Sequence, residues 1–355
     1  MAYTNIDDPS AHFQAFIYTG NATNDRAITL DGNSNLQPDF YWYKARNSNY
    51  HYLTDSSRGN TKYIYSNDSL AEATNSGNTY VKSFDTNGVT LGAGDSGTNT
   101  NGVSFANWAW KANGGTTVSN TDGSITSTVQ ANTTAGFSIV LYTGTGSAAT
   151  VGHGLGVVPS VMIIKNREYA ASWVVYHKDI HADAEEYGLR LNNNTAKASN
   201  SGFWNNTAPT SSVFTIGGNA GVNNGDNTDT LVAYCFAEKQ GYSKFGSYVG
   251  NSSTDGSFIY TGFKPAWIML KPSSAADNWI IVDNKRDPSN AAEKRLFADT
   301  TGAEGTGYDV CDMLSNGFKM RGSSTSWNGS GRTYIYMAFA ENPFVTSTGI
   351  PTTAR

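Results

Sequence analysis

Apolar residues in this chain gather in short runs bounded on both sides by Gly, Asn, Ser, Thr and Asp. The runs "VMII" (161–164), "WIML" (267–270), "WIIV" (279–282), "LVAYCFA" (231–237) and "YIYMAFA" (334–340) are continuous. Continuous runs of this length are the mark of strands covered on both faces. "SITSTVQ" (124–130) alternates instead, as a strand with one wet face does. The nearest approach to a helix, "ADAEEYGLR" (182–190), is interrupted by Gly188. The pattern predicts an all-β protein.

The runs recur in order. "AFIYTGN", "IVLYTGT" and "FGSYVGN" place Tyr18, Tyr142 and Tyr248 at intervals of 124 and 106 residues. "QPDFYWYK", "VPSVMIIK" and "KPAWIMLK" follow, with Pro38, Pro159 and Pro265, and Lys44, Lys165 and Lys271, all spaced 121 and 106 apart. After a polar turn come "HYLTDSSRG", "WVVYHKDIH" and "WIIVDNKRD". Each copy closes on a strand that aligns Ala109, Cys235 and Ala338, with Trp110, Phe236 and Phe339 next. The order predicts three tandem antiparallel β-sandwich units of jelly-roll or lectin-like type, over 1–115, 116–240 and 241–355. A Pro ahead of each run fixes φ and lacks an N–H, which suits a residue just outside the ladder, so strands are expected at 39–44, 160–165 and 266–271. The connector 113–136 reads as a linker or a β-ribbon, while that at 238–246 is short. Units two and three are therefore expected to pack closely, with unit one set at a different angle.

Composition narrows the function. Charged residues are 15% of the chain, below the roughly 25% usual in globular proteins. Net charge is −5 with no cluster of Lys or Arg, which speaks against nucleic acid as a partner. No apolar run approaches the roughly 20 residues of a bilayer-spanning helix, so no membrane insertion is expected. The opening "MAYTNIDDPSAHF" has neither a basic nor an apolar leader region, which reads as synthesis in a cytoplasm.

Candidate chemistry is sparse. Cys235 and Cys311 lie far apart without His or Cys at metal spacing and read as buried apolar residues. "GHGLGVVP" (152–159) leads into a strand, so its glycines make a turn and not a phosphate loop. "HKDIH" puts His177, Asp179 and His181 on alternating positions, but the matching stretches of the other units have no His, and a polar loop is the reading. "NTDGS" and "STDGS" are tight turns, and the Asn-X-Ser/Thr sequons at Asn21 and Asn251 would matter only in a secreted eukaryotic protein. No catalytic constellation recurs, Glu238 and Glu341 being matched by Ala112, so no catalytic residues, metal or cofactor are expected and the protein is not read as an enzyme. Aromatic residues make up 12% of the chain. Trp173 and Trp279, with Tyr50 or Tyr52 in unit one, are read as core. Trp204 in "SGFWNNTAP" and Trp327 in "TSWNGSG" are read as exposed loop rings able to stack on a sugar.

"YTNIDDPSAHFQAFIYTGN", "LQPDFYWYKARN", "VSNTDGSITSTVQANTTAGFSIVLYTGTGSAATVGHGLGVVPSVMIIKNR" and "AYCFAEKQGYSKFGSYVGN" resemble a family of tailed-bacteriophage proteins, many of them marine. The resemblance covers essentially the whole chain. It implies a virion component of tail-fibre or lectin-like type, assembled in the host cytoplasm and released by lysis. The expected function is host-surface recognition, of glycans above all, through Trp204 and Trp327. The rival is a capsid decoration or other purely structural tail or head protein. Expected partners are other virion proteins, further copies in a homo-oligomer, and host surface polysaccharide.

Overall fold

The computed structural model describes residues 2–94, 97–224 and 229–353. Its sheets are all antiparallel. Among the described residues the helices are one α-turn, Ser201–Trp204, and two 3-10 turns, Pro9–Ala11 and Ala184–Glu186. The last is all that the 182–190 stretch forms before the chain turns extended at Tyr187–Gly188. Gly188 packs so tightly that an added Cβ would lie 2.7 Å from the Phe203 ring.

Three large sheets follow one plan. An opening strand (Phe13–Thr19, Phe137–Thr143, Ser243–Val249) pairs with a closing strand (Ser104–Trp110, Thr230–Phe236, Thr333–Pro343). The closing strand pairs on its other side with the Pro-led strand (Phe40–Ala45, Val161–Asn166, Phe263–Pro272), and that with a return strand (His51–Asp55, Val174–His177, Ile280–Asp283). Registers match residue for residue. Ala109 lies between Gln14 and Tyr41, Cys235 between Ser138 and Met162, and Ala338 between Lys244 and Ile268.

Two of the Pro-led strands begin one residue after the positions expected from the sequence. The third begins at Phe263, three residues early, and Pro265 lies inside it. Register shifts flank Pro265, because a residue without an N–H cannot continue the ladder and a bulge absorbs the fault. The connector 113–136 is a ribbon. Val118–Asn120 pairs with Ser127–Asn132, which in turn pairs with the opening strand of the second sheet.

Smaller sheets cover the outer faces. Arg26–Thr29, Gly88–Leu91 and Val81–Asp85 lie over the first sheet, around Phe16, Tyr41, Tyr43, Val89 and Leu91. Phe258–Tyr260, Gly317–Met320 and Cys311–Leu314 lie over the third, around Ile268, Leu270, Met313 and Phe318. In the second, Ala149–Gly152 pairs with Val213–Ile216, and Phe214 meets Tyr142.

The inner faces share a single core. Phe13, Trp108 and Trp110 of the first sheet join Phe137, Tyr234 and Phe236 of the second and Phe245, Trp267 and Phe339 of the third. Phe40 stacks on Tyr234 at 4.2 Å, Phe13 on Phe339 at 5.2 Å, and Trp110 meets Trp267 edge-on at 5.6 Å. Such pairs contribute roughly 0.5–1.5 kcal/mol each beyond the area they bury. Continuous apolar runs are thereby explained, since each large sheet is covered by a small sheet outside and by the other large sheets inside.

The expected different angle for the first unit is not what is found. The Arg46 carbonyl accepts from the Glu304 amide, that of Arg167 from Glu72, and that of Ser273 from Lys197, at 2.8, 2.7 and 3.0 Å. Arg46, Arg167 and Ser273 each stand two residues after the repeated lysine. One link thus joins first to third, second to first and third to second, a head-to-tail contact that closes on itself.

Candidate binding site at the seams

Most polar side chains at the three seams are internal fasteners. Lys44, Lys165 and Lys271 are buried. Their Nζ atoms donate to carbonyls at the end of their own strands, Ala45 at 2.5 Å, Asn166 at 2.5 Å and Pro272 at 2.8 Å. Burial lowers their ammonium pKa values to about 7, 8 and 8. Glu72 accepts from Arg58 at 2.9 Å and from Arg167 at 2.9 Å, while Glu304 takes Arg46 at 2.5 Å and Arg286 at 3.2 Å. Burial alone would lower the Arg58 pKa, but Asp55, Tyr234 and Glu72 together hold it above its ordinary value.

Each outer layer is latched in one way. The hydroxyls of Tyr18, Tyr142 and Tyr248 donate to the carbonyls of Thr98, Val222 and Trp327 at 2.6, 2.7 and 2.7 Å. The next residue is a buried Asn each time. Asn223 donates to Ser147 and Gly217 carbonyls at 2.6 and 2.8 Å and accepts from the Thr145 and Gly146 amides at 2.6 and 2.9 Å. Asn99 bonds Gly92 and Asn21 likewise, and Asn328 bonds Gly322 and Asn251. These asparagines lie 81, 81 and 80 residues after their tyrosines, an interval readable in the sequence once the tyrosines are aligned.

The loop tryptophans are not exposed, which corrects the expectation for both. Trp204 is 1% exposed and donates its indole N–H to the Tyr187 carbonyl at 2.8 Å. Asn200 caps the helical turn and swings the ring inward. Trp327 is 4% exposed, with its N–H on the Arg321 carbonyl at 2.7 Å, because the Tyr248–Asn328 latch folds its loop onto the body. Trp173 and Trp279 are buried as expected, and they bridge seams to the Tyr65 and Arg190 carbonyls. The strand registers put His51, not Tyr50 or Tyr52, at their place in the first sheet.

His177 is buried in its strand, its Nε2 3.1 Å from the Tyr336 carbonyl and its Nδ1 accepting from the Asp179 amide. Among the described residues no group of three His, Cys, Asp or Glu is placed to hold a metal ion. Cys235 and Cys311 are buried and not joined in a disulfide.

One polar pocket recurs on the inner side of each seam, and its three versions differ. It lies between the residue after the return strand (Ser56, Lys178, Asn284), the end of the closing strand (Ala112, Glu238, Glu341) and the opening strand of the next sheet. Between the first and second sheets Gln130 of the ribbon fills it. Its Oε1 accepts from the Asn113 and Gly115 amides at 3.0 and 2.8 Å, and its Nε2 donates to Ser56 and Ser57 hydroxyls at 3.0 and 2.7 Å. Between the second and third, Glu238 fills it with ion pairs to Lys178 and Lys244, both at 3.0 Å.

Between the third and first sheets the same place is an open cleft of about 320 Å³, lined by Phe13, Ala15, Ala266, Asn284, Lys285 and Glu341 among others. Its charges are paired, Glu341 with Lys264 at 3.3 Å and Lys285 with Asp31 at 2.9 Å. Asn284 donates to Glu341 at 2.7 Å, while its buried Oδ1 has no partner. The repeat does not mark this cleft, because its central polar position changes from unit to unit: Asn284 stands where the others have Ser56 and Lys178.

The molecule is thus an all-β protein of several antiparallel sheets, with one polar seam left open. No helix among the described residues is long and apolar enough to cross a membrane. The chain belongs to a family described as a domain of unknown function, DUF7483, whose model matches residues 8–343. Neither a curated protein nor a solved structure matches it.

Proposed function

We propose that this protein is a structural component of a bacteriophage particle, made of three tandem β-sandwich units and displayed on the particle surface. The observation that carries the reading is that its reactive side-chain types serve as internal fasteners. The seam lysines bind carbonyls, and Arg58 and Arg286 are buried in ion pairs. Such a body is held together by its own packing and ion pairs and presents surfaces to neighbours. The sequence resemblance to tailed-phage proteins supports the particle as its location. Mass spectrometry of purified particles tests this, with the protein expected at a fixed copy number and its absence overturning the reading. High copy number fits a decoration protein and low copy number a tail fibre.

A second reading, host-surface recognition, is favoured by a different pair of rings from those expected. Phe258 and Tyr260, 47% and 54% exposed, stand on one side of the strand Phe258–Tyr260 and offer a stacking face to a polysaccharide. Binding of recombinant protein to host cells, lost in Phe258→Ala/Tyr260→Ala, supports this reading. Equal binding by that variant sinks it.

A further inference from the structure

The open seam and its neighbour differ by one strand. In the second sheet, Ser127–Asn132 covers the outer edge of the opening strand Phe137–Thr143 and sends Gln130, opposite Ile139, into the seam pocket. Among the described residues the first sheet has no such strand, and Phe13–Thr19 pairs with the closing strand alone. The registers equate Phe137 with Phe13 and Ile139 with Ala15, because Phe236 and Trp110 oppose the first of each pair. Ala15 lines the cleft. Ile17, equivalent to Leu141, is 45% exposed, whereas Leu141 is half-buried beside the ribbon.

We infer that this edge accepts a β-strand from another polypeptide, which extends the first sheet and places a glutamine side chain in the cleft. Strand addition to an open edge takes affinity from main-chain hydrogen bonds and specificity from alternate side-chain pockets. Here the pocket is already polar. Asn284 Oδ1 is a buried acceptor without a partner, on a residue only 9% exposed, and a glutamine Nε2 is the donor it lacks. Ser56, the equivalent of Asn284, plays that acceptor role toward Gln130. Since Glu341 and Lys285 are already ion-paired, a neutral amide fits where a charged side chain would be left uncompensated.

The occupant is another protein rather than a second copy of this chain. The chain's own strand of this kind, Ser127–Asn132, is engaged within its own second sheet. Among the described residues the opening strand of the third sheet likewise pairs with no strand but its closing strand, apart from a bridge between Ser243 and Lys239, but Glu238 fills the pocket beside it. The site is therefore specific to one seam, and it does not depend on whether the protein resides in a virion.

The chain supplies its own probe, a fluorescent peptide with the sequence of residues 124–133, SITSTVQANT. Titrated against the intact protein, it should bind saturably and slow amide exchange within Phe13–Thr19. A peptide with Ala in place of its Gln should bind about tenfold more weakly, the effect of one buried hydrogen bond. Asn284→Leu, checked for an unchanged exchange pattern without peptide, should show the same loss and no longer distinguish the two peptides. Absence of binding at millimolar peptide overturns the proposal. So does protection confined to 137–143, which would mean displacement of the resident strand, or equal binding of the Gln and Ala peptides.

Discussion

Four of the five histidines are held below their ordinary pKa, chiefly by burial: His12, His51, His153 and His177, the last at about 4. Between about pH 4 and 6.5 the unfolded chain binds a proton at His177 that the folded chain does not. Stability is therefore expected to fall as pH drops through that window, with His177 contributing up to roughly 3 kcal/mol. His177→Gln, whose amide can still donate to the Tyr336 carbonyl, should narrow the gap between urea midpoints at pH 7 and pH 4.5. An unchanged gap would show that His177 already carries its proton in the folded protein at pH 4.5. At the latches, Asn223→Ala strands two carbonyls and two amides and should cost roughly 3 kcal/mol in chemical denaturation. The tyrosines of these latches stand out in the sequence because they repeat inside one motif. Their asparagine partners are hidden in a chain full of asparagine, and only distance along the chain marks them. Trp204 and Trp327 were misleading for a related reason. Gly, Asn and Ser around a tryptophan suggest an exposed loop, whereas here those residues make the caps and bonds that turn the ring inward.

The order of the strands along the chain and their equivalence between the three sheets were legible because apolar runs, prolines and small residues recur at matching positions. The ribbon at 113–136 was legible only in part. "SITSTVQ" alternates like a strand, but nothing local says which edge it joins, and Gln130 looks like any polar strand residue. Its role comes from Ser56, Ser57, Asn113 and Gly115, none of which shares its strand. Gln130→Ala should leave two amides unpaired and destabilise the protein by roughly 2 kcal/mol. Hydrogen exchange should quicken first in Ser127–Asn132 while the closing strands stay protected. Uniform acceleration across the second sheet would instead mean that the ribbon is integral to that sheet.

Across the whole molecule, the seams and the shared core were not legible, because they are made mostly between residues of different units, and no local pattern says which of them meet. A repeat of about a hundred residues suggests a unit with a core of its own. The inner faces instead give up that independence, since Phe13, Phe236, Trp267 and Phe339 pack on one another across three sheets. Phe339→Ala should therefore weaken the entire protein by roughly 4 kcal/mol, not the third sheet alone. Differential scanning calorimetry of the full chain tests the central claim, that three equivalent sheets form one body closed around a common core. The account predicts a single transition whose calorimetric and van't Hoff enthalpies agree, shifted as a whole by Phe339→Ala. Two or three separable transitions, with only one moved by that substitution, would contradict it.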